Sequence, residues 1–268
     1  MNTLRANIDY YDSQEAPPPK KIDARKAEAL RREVIERTGG QKREAGLMLE
    51  LGGGTGWLGC GLAASVFAEA IVSMDVSHRM LKATRDTAVL NDIDAVQGDA
   101  AILPFRDESF DFVCGGSFLH HTRDENDLFD EVHRVLKPGG FFLVYREPQA
   151  FGSRLVVAIV KLIVFLPGLF FRFTKRGAEN HDRELGKAYS YSQLKEFGDR
   201  ARLPLVACQS HSFCHSIHWY LASKLKSFNA LYAFAQSFEP FSDAIDEKIL
   251  KYIFPGVFFY NISACYKR

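Results

Sequence analysis

Four glycines fall within residues 52–56, and this cluster restricts the fold of the chain more than any other feature of its sequence. It follows the mostly apolar segment LMLEL, residues 47–51, and precedes an apolar stretch that favours a helix. This order predicts a buried strand that turns directly into a helix. Glycine tolerates positive φ and lets a ligand approach the backbone, while the start of a helix offers unpaired N–H groups. The turn is therefore predicted to bind a ligand with polar or anionic groups.

The glycine spacing alone leaves the type of ligand open. Gly54, Gly56 and Gly59 also fit the G-x-G-x-x-G spacing of turns that bind dinucleotides, and a glycine-rich turn without any ligand is a further alternative. The rest of the sequence must decide among these alternatives.

The composition is that of a globular protein with one core and room for a smaller subdomain, since 47% of its 268 residues are hydrophobic and 25% are charged. The formal net charge of +1 gives no reason to expect a nucleic acid as the main partner. The five cysteines are scattered, and the N-terminal residues lack the apolar segment of a secretory signal. We therefore expect a cytoplasmic protein.

Apolar runs alternate with helical stretches between residues 47 and 145, and this rhythm predicts a parallel α/β sheet. The predicted strands are 47–51, 70–74, 95–96, 110–114 and 140–145. Alternating segments within 203–212 and 257–266 predict two further strands that close the sheet. Several runs end in acidic or small residues. Because the carboxyl ends of parallel strands meet at one edge, that edge is the predicted ligand site.

The chain is predicted to consist of three regions. Residues 1–21 form an N-terminal arm that ends in the proline-rich stretch APPPKK. Residues 22–150 form the ligand-binding core, which begins with a surface helix over 22–38. Residues 151–268 form a cap and substrate region that also supplies the two closing strands.

Two acidic residues follow predicted strands at the ligand edge. Asp75 ends the second strand about twenty residues after the glycine turn, where a carboxylate can accept hydrogen bonds from both hydroxyls of a ribose. Asp99 follows the third strand, where it can accept from an adenine amine while Ala100 leaves room for the ring. Purely structural roles, a helix cap for Asp75 and a turn for Asp99, are the alternatives.

Five motifs in a fixed order carry a resemblance to a known family. They read LELGGGTG, MDVSHRML, GDAAILPF, FDFVCGGSFLHH and EVHRVLKPGGFFLV. Together they resemble the class I S-adenosylmethionine-dependent methyltransferases, within the small-molecule group that includes the quinone methyltransferases. The resemblance spans roughly residues 48–148. Each motif alone is weak, but five in this order are highly specific.

The resemblance implies an α/β fold: a Rossmann-like, doubly wound, seven-stranded and mostly parallel sheet with a helical cap in the C-terminal part. It implies S-adenosylmethionine as the cofactor. The residues that it implies for cofactor binding are Glu50, Gly52, Gly54, Gly56, Asp75, Asp99, Ala100, Ser117 and an arm tyrosine, Tyr10 or Tyr11, with Tyr11 preferred. The third consecutive glycine, Gly53, departs from the family pattern, and we expect this departure to be harmless.

The candidate catalytic residues follow the fourth and fifth predicted strands. An imidazole has a suitable pKa to deprotonate a phenol or an enol, so His121 is the preferred general base and His120 the second candidate. Structural packing of one or both rings is the alternative. Glu147 could orient an acceptor hydroxyl or amine, or could pair with the neighbouring Arg146.

The strongly apolar segment 155–171 bears on the acceptor. Lys161 and Pro167 interrupt it, so a membrane-spanning helix is not expected. A cap over the substrate pocket is favoured, and a helix at a membrane surface, with basic flanks toward anionic headgroups, is the alternative. Both interpretations favour an apolar small-molecule acceptor, such as a lipid, quinone, polyketide or terpenoid, methylated on oxygen or carbon.

Other functions remain as alternatives. A peripheral membrane protein could keep the cofactor fold only as a binding module. Tyr191 and Lys195 form a Y-x-x-x-K pair that resembles the short-chain nicotinamide oxidoreductases, but the glycine spacing fits that family poorly. Cys208, His211, Cys214, His215 and His218 lie close in sequence. They match no zinc pattern, so no metal is expected.

Overall fold

The computed structural model describes residues 3–13, 23–41, 44–88, 93–168, 187–224 and 237–268. The proline-rich stretch 16–21 and residues 169–171 of the apolar segment lie outside the described residues. The chain divides into two compact units. The first contains residues 1–147, 191–208 and 263–268, and the second contains 148–190 and 209–262.

A seven-stranded sheet forms the centre of the fold. Its strands are β1 Ala45–Leu51, β2 Ala68–Asp75, β3 Ile93–Gln97, β4 Phe110–Gly116, β5 Leu136–Pro148, β6 Leu205–His211 and β7 Asn261–Lys267. They lie in the order β3-β2-β1-β4-β5-β7-β6, and the pairs from β3 to β5 are parallel. Strand β7 runs antiparallel to β5, because Arg268 bonds to Gly140 while Ser263 bonds to Arg146. The predicted Rossmann-like α/β sheet is confirmed.

Helices connect the strands and continue beyond them. They are α1 Thr3–Ser13, α2 Ala24–Arg37, α3 Trp57–Ala64, α4 His78–Ala88, α5 Glu125–Val135, α6 Ala150–Gly168, α7 Tyr191–Arg200, α8 Cys214–Lys224 and α9 Glu239–Ile245. Asp23 caps α2 by accepting the N–H groups of Arg25 and Lys26, which explains why this helix begins where the sequence predicts. The N-terminal arm, for which the sequence predicts an extended stretch only over 16–21, contains the helix α1.

Strand β1 lies at the centre of the sheet and sets the position of the ligand edge. In its register Glu50 lies opposite Ser73 of β2 and Cys114 of β4, so the carboxyl ends of the three strands are level. Met48 and Phe112 are completely buried, and their burial stabilises this part of the sheet. The level strand ends bring the predicted site residues to one edge.

Strand β5 begins earlier than the sequence predicts. The Pro-Gly-Gly segment, which precedes the strand predicted at 140–145, lies within the strand that begins at Leu136. Gly139 has a φ of 81°, and the pairing with β4 shifts between Phe110 and Phe112. A glycine in the left-handed region allows the strand to continue through this irregularity.

The second unit has its own small core and a long apolar helix. Val156 of α6 is completely buried and packs with Phe213, Ile217 and Tyr260. Within the described ranges, none of the helices combines the length and the apolar character that crossing a bilayer requires.

Candidate active site

The glycine turn joins β1 to α3 with an open backbone. Gly52, Gly54 and Gly56 all lie in the left-handed region, with φ values of 62°, 54° and 76°. Gly56 directly precedes α3 as its N-cap. A Cβ atom built on Gly54 would meet nothing closer than the carbonyl oxygen of Gly52 at 3.9 Å. The predicted strand–turn–helix is therefore present, and a ligand can approach the backbone at Gly54.

Glu50 lies beneath this turn and holds it in place. Its side chain is only 2% exposed. Its Oε1 accepts the N–H of Gly59 in the first turns of α3 at 2.7 Å, and its Oε2 accepts the hydroxyl of Ser73 at 2.5 Å. The carboxylate thus ties α3 to β1 and β2 and places an acidic group under the start of the helix. A contact between Glu50 and a cofactor stays a prediction.

Gly53 occupies a position with no room for a side chain. A Cβ atom there would lie 2.0 Å from Ser73 Oγ and 3.1 Å from Glu50 Oε2. The third glycine, which the family resemblance marks as a departure, is therefore required by the way Ser73 and Glu50 pair beneath the turn.

The titration of Glu50 should make the stability of the protein depend on pH. Burial raises the pKa of Glu50 from 4.5 to about 7, although the hydrogen bonds from Ser73 and Gly59 oppose the shift. The folded state then holds this proton more tightly than the unfolded state. The contribution of Glu50 to stability, up to about 3 kcal/mol, is therefore fully present below pH ~4.5 and is lost as the pH rises through ~7.

Urea unfolding between pH 5 and about 8 checks this expectation in the wild type and in Glu50→Gln. The amide cannot ionise and can still accept one of the two hydrogen bonds, so the variant should lose this part of the pH dependence. Identical pH profiles for the two proteins would contradict the assignment.

Asp75 ends β2 and bonds to the glycine turn. Its Oδ2 accepts the N–H of Gly54 and its Oδ1 accepts the N–H of Ser77, both at 2.8 Å. Burial raises its pKa against the lowering effect of these bonds. A carboxylate has about four acceptor positions, so Asp75 can still accept from two hydroxyls of a ligand. The structural role and the predicted ribose contact are compatible.

Asp99 lies at the neighbouring strand end. It is half-buried, and its Oδ1 accepts the N–H of Ala101 at 3.0 Å, which stabilises the turn that also contains half-buried Ala100. The N–H of Gly98 donates to the carbonyl oxygen of Asp75 at 3.1 Å. The structure thus brings the loops that carry Asp75 and Asp99 side by side. Their ligand contacts stay predictions.

Glu147, at the end of β5, organises the 3₁₀ turn Leu119–His121 that follows β4. It is completely buried. Its Oε1 accepts the N–H groups of Phe118 and Leu119 at 2.8 and 2.9 Å. Its Oε2 accepts the N–H of His120 at 3.3 Å and lies 2.7 Å from His120 Nδ1. The carboxylate therefore positions the segment that carries both histidines.

His121 contacts the N-terminal helix through a tyrosine. The hydroxyl of Tyr11 lies 2.9 Å from His121 Nε2, and which group donates depends on the imidazole tautomer. Next to Tyr11, Asp12 accepts the hydroxyl of Ser77 and, at 3.2 Å, the N–H of Arg79. Helix α1 is thus held both at the start of α4 and at the turn that carries His121.

Ser117 and Arg146 complete this edge of the sheet. Ser117 is exposed, has a φ of 52°, and donates its hydroxyl to the carbonyl oxygen of Arg146 at 2.9 Å. The guanidinium of Arg146 pairs with Glu33 of α2 at 3.1 Å. Arg146 therefore pairs with Glu33, while Glu147 binds the histidine turn.

Comparison with known proteins identifies the domain that carries most of these site residues. Residues 49–144 match the family model described as a methyltransferase domain, and this segment contains the glycine turn, Asp75, Asp99 and both histidines. The chain carries a class I methyltransferase domain. The cofactor of such domains is S-adenosylmethionine.

The curated relatives of this methyltransferase domain cover only part of the chain. The demethylmenaquinone methyltransferase of Staphylococcus epidermidis is 41% identical over 80 residues, which are 30% of this chain and 33% of that protein. The ubiquinone/menaquinone biosynthesis C-methyltransferase UbiE of a Marinomonas species is 30% identical over 149 residues, which are 50% of this chain and 59% of that protein. The chain thus spans between a third and three fifths of the length of these relatives.

A solved structure shows the same fold over most of the chain. The phosphoethanolamine N-methyltransferase 2 of Haemonchus contortus, solved with S-adenosylhomocysteine, has a TM-score of 0.56 and 17% identity. The match covers 89% of this chain and 52% of that one. At this identity the likeness concerns the fold alone.

The residues of the methyltransferase domain fit its cofactor. S-adenosylmethionine carries positive sulfonium and ammonium groups, whereas a nicotinamide dinucleotide carries an anionic pyrophosphate. Asp75 lies beside the turn, and Glu50, with a pKa of about 7, lies under the start of α3, where a nearby cation would favour its ionised form. This arrangement favours the cationic ligand and disfavours a pyrophosphate at the same place.

The residues of the competing hypotheses are engaged elsewhere in the methyltransferase fold. Lys195, of the Y-x-x-x-K pair, forms an ion pair with Asp199 on α7. Within the part of the chain that the structure describes, no three His, Cys, Asp or Glu side chains lie close enough together to hold a metal ion.

Several residues that shape the methyltransferase site escaped the sequence analysis. Ser73 bonds to Glu50. Ser77 bonds to Asp12, which anchors α1. A serine within or just after a strand carries no signal in sequence, because its partner depends on the strand register. Asp12 could have been suspected only from its place beside Tyr11.

Proposed function

We propose that the protein transfers a methyl group from S-adenosylmethionine to oxygen or carbon of an apolar small molecule. The observation that carries the proposal is the acidic support of the glycine turn, where Glu50 lies beneath α3 and Asp75 bonds to Gly54. Two curated relatives of the domain are named as quinone methyltransferases, which supports an acceptor of similar apolar character.

Different residues of the first unit bind different parts of the cofactor. Asp75 accepts from the ribose hydroxyls, Asp99 accepts from the adenine amine beside Ala100, and the backbone near Gly54 and Ser117 lines the cofactor. When bound, the cofactor supplies an activated methyl group on a sulfonium. The protein aligns the acceptor and excludes water, because displacement at this carbon depends mainly on position.

A phenol or enol acceptor must also lose a proton, and we assign this step to His121. Its Nε2 faces the Tyr11 hydroxyl at 2.9 Å, so an acceptor hydroxyl can take the place of the tyrosine or bond to both groups. Glu147 acts as a positioning residue, because it is buried and fixes the turn on which His121 stands. His120 contacts both residues: its Nδ1 lies 2.7 Å from Glu147 Oε2, and its ring centroid lies 3.9 Å from that of His121.

Calorimetric titration with S-adenosylhomocysteine, and separately with NADH, tests the cofactor assignment. We expect S-adenosylhomocysteine to bind the wild type at micromolar concentration and Asp75→Asn roughly tenfold or more weakly, because the amide presents a donor where the turn also donates. Asp94→Asn, at an exposed position of β3, removes the same charge and serves as the matched control, with affinity unchanged.

Two outcomes would contradict the proposal. Binding of NADH alone, or of neither ligand, would mean that the domain keeps the methyltransferase fold without its cofactor. With binding established, a labelled methyl donor and a panel of quinone, lipid, polyketide and terpenoid acceptors identify the substrate class.

A further inference from the structure

The second unit exposes a dense group of apolar side chains near its C-terminal end. Between 42% and 77% of the surface of each of these residues is exposed: Ile249, Tyr252, Ile253, Phe254 and Val257. They fall within nine residues, which we call the 249–257 patch. Soluble proteins rarely leave such a contiguous apolar surface uncovered unless it binds something.

Aromatic contacts extend the patch onto α6. The ring centroid of Phe254 lies 6.0 Å from that of Phe258, and Phe258 lies 5.6 Å from Phe151 in the first turn of α6. Phe151 is itself 53% exposed. The patch is therefore a continuous surface of the second unit, built from two segments that are distant in sequence.

Contacts with the start of α8 fix the position of the patch on the second unit. Asp246 is buried just before it, and its carboxylate accepts the N–H groups of Cys214 and His215 at 2.8 and 2.9 Å, at the start of α8. Phe213 stacks on Phe254 with their centroids 6.0 Å apart. These contacts hold the segment on the unit while its apolar side chains face outward.

The charges of the patch favour an anionic partner. Lys248 and Lys251 are exposed, and the sequence from 248 to 257 contains no acidic residue. The Lys251 Nζ lies 5.3 Å from the centroid of the Tyr252 ring, and Arg154 is exposed one turn after Phe151 on α6. Before the patch, Asp246 is buried, and the exposed Asp243 of α9 is paired with His215.

We propose that the 249–257 patch docks the protein on the surface of an anionic lipid bilayer. Aliphatic and aromatic side chains beside lysines suit the boundary between headgroups and acyl chains, where the rings enter the apolar layer and the ammonium groups reach the phosphates. The patch shares no residue with the candidate methyltransferase site, and the inference does not depend on the proposed reaction.

Vesicle flotation of the full chain tests this docking. The probes are phosphatidylcholine vesicles with and without about one third phosphatidylglycerol. We expect the wild type to float with the anionic vesicles, and the double variant Tyr252→Ser/Ile253→Ser to float at least roughly fivefold less. Val66→Ser, which replaces an equally exposed apolar residue of the first unit, should float like the wild type.

Two further variants separate the contributions within the second unit. Lys248→Glu/Lys251→Glu should lose the preference for anionic vesicles. Leu162→Glu, at an exposed position of α6 beyond the patch, should reduce flotation less than the Tyr252/Ile253 double variant. Unchanged S-adenosylhomocysteine affinity and thermal midpoint show that the variants are folded.

Three results would overturn the proposal. The first is a wild type that stays in the bottom fraction of the gradient with both kinds of vesicle. The second is a Tyr252/Ile253 variant that floats like the wild type. The third is a wild type that floats poorly but forms a dimer which the same variant dissociates in light scattering, since that would make the patch an interface between copies of the chain.

Discussion

Replacing Glu147 with alanine should destabilise the protein by about 3–5 kcal/mol and remove most of its methyl transfer. The carboxylate is completely buried and bonds to three consecutive backbone N–H groups and to the imidazole of His120. Alanine leaves these donors buried without an acceptor, and each unsatisfied group costs free energy. The turn that carries His121 should then lose its conformation.

Denaturant unfolding and turnover, measured together, check this expectation. Glu147→Gln should be milder, because its carbonyl oxygen can still accept from the turn. His121→Ala is the matched variant: it leaves the bonds of Glu147 intact, so turnover should fall while stability changes little. Full stability of Glu147→Ala would contradict the assigned role of the carboxylate, and full turnover of His121→Ala would remove the proposed base.

The variant Gly53→Ala should bind S-adenosylhomocysteine roughly 30 to 100 times more weakly than the wild type, a loss of about 2–3 kcal/mol. The added methyl group would lie 2.0 Å from Ser73 Oγ, which is held by Glu50. Either the turn or the Ser73–Glu50 pair must move, and both belong to the predicted cofactor site. Calorimetry measures the loss directly.

A second substitution shows whether the steric conflict is the cause. In Gly53→Ala/Ser73→Ala the hydroxyl is gone, and the new methyl group would lie 3.1 Å from Glu50 Oε2 and 3.4 Å from the Cβ of residue 73. The double variant should therefore bind more tightly than Gly53→Ala. Ser73→Ala alone, which loses one hydrogen bond to Glu50, gives the baseline. A double variant as weak as Gly53→Ala would show that the conflict lies elsewhere.

The strands and the ligand edge could be predicted from the sequence because they depend on local patterns. Apolar runs with acidic or small residues at their ends placed Asp75 and Asp99 at neighbouring strand ends, and the structure brings their loops together. The glycine turn was equally clear, since only glycine adopts its backbone conformation easily. Five ordered motifs then gave the domain family.

The roles of individual side chains were less predictable because they depend on burial and register. An acidic residue after a strand can face a ligand or the interior, and only the fold shows that Glu50 and Glu147 bond to backbone groups beneath the site. The need for Gly53 follows from the pairing of Glu50 with Ser73 across two strands. No pattern in the sequence reports such a pairing.

The way α1 is held affects the order in which the chain can fold as the ribosome makes it. Asp12 bonds to Ser77, which is synthesised 65 residues after it. Tyr11 bonds to His121, which is synthesised 110 residues after it. The turn that carries His121 is itself fixed by Glu147. Helix α1 therefore leaves the ribosome long before its docking place exists, and it can make both contacts only after β5 has been synthesised.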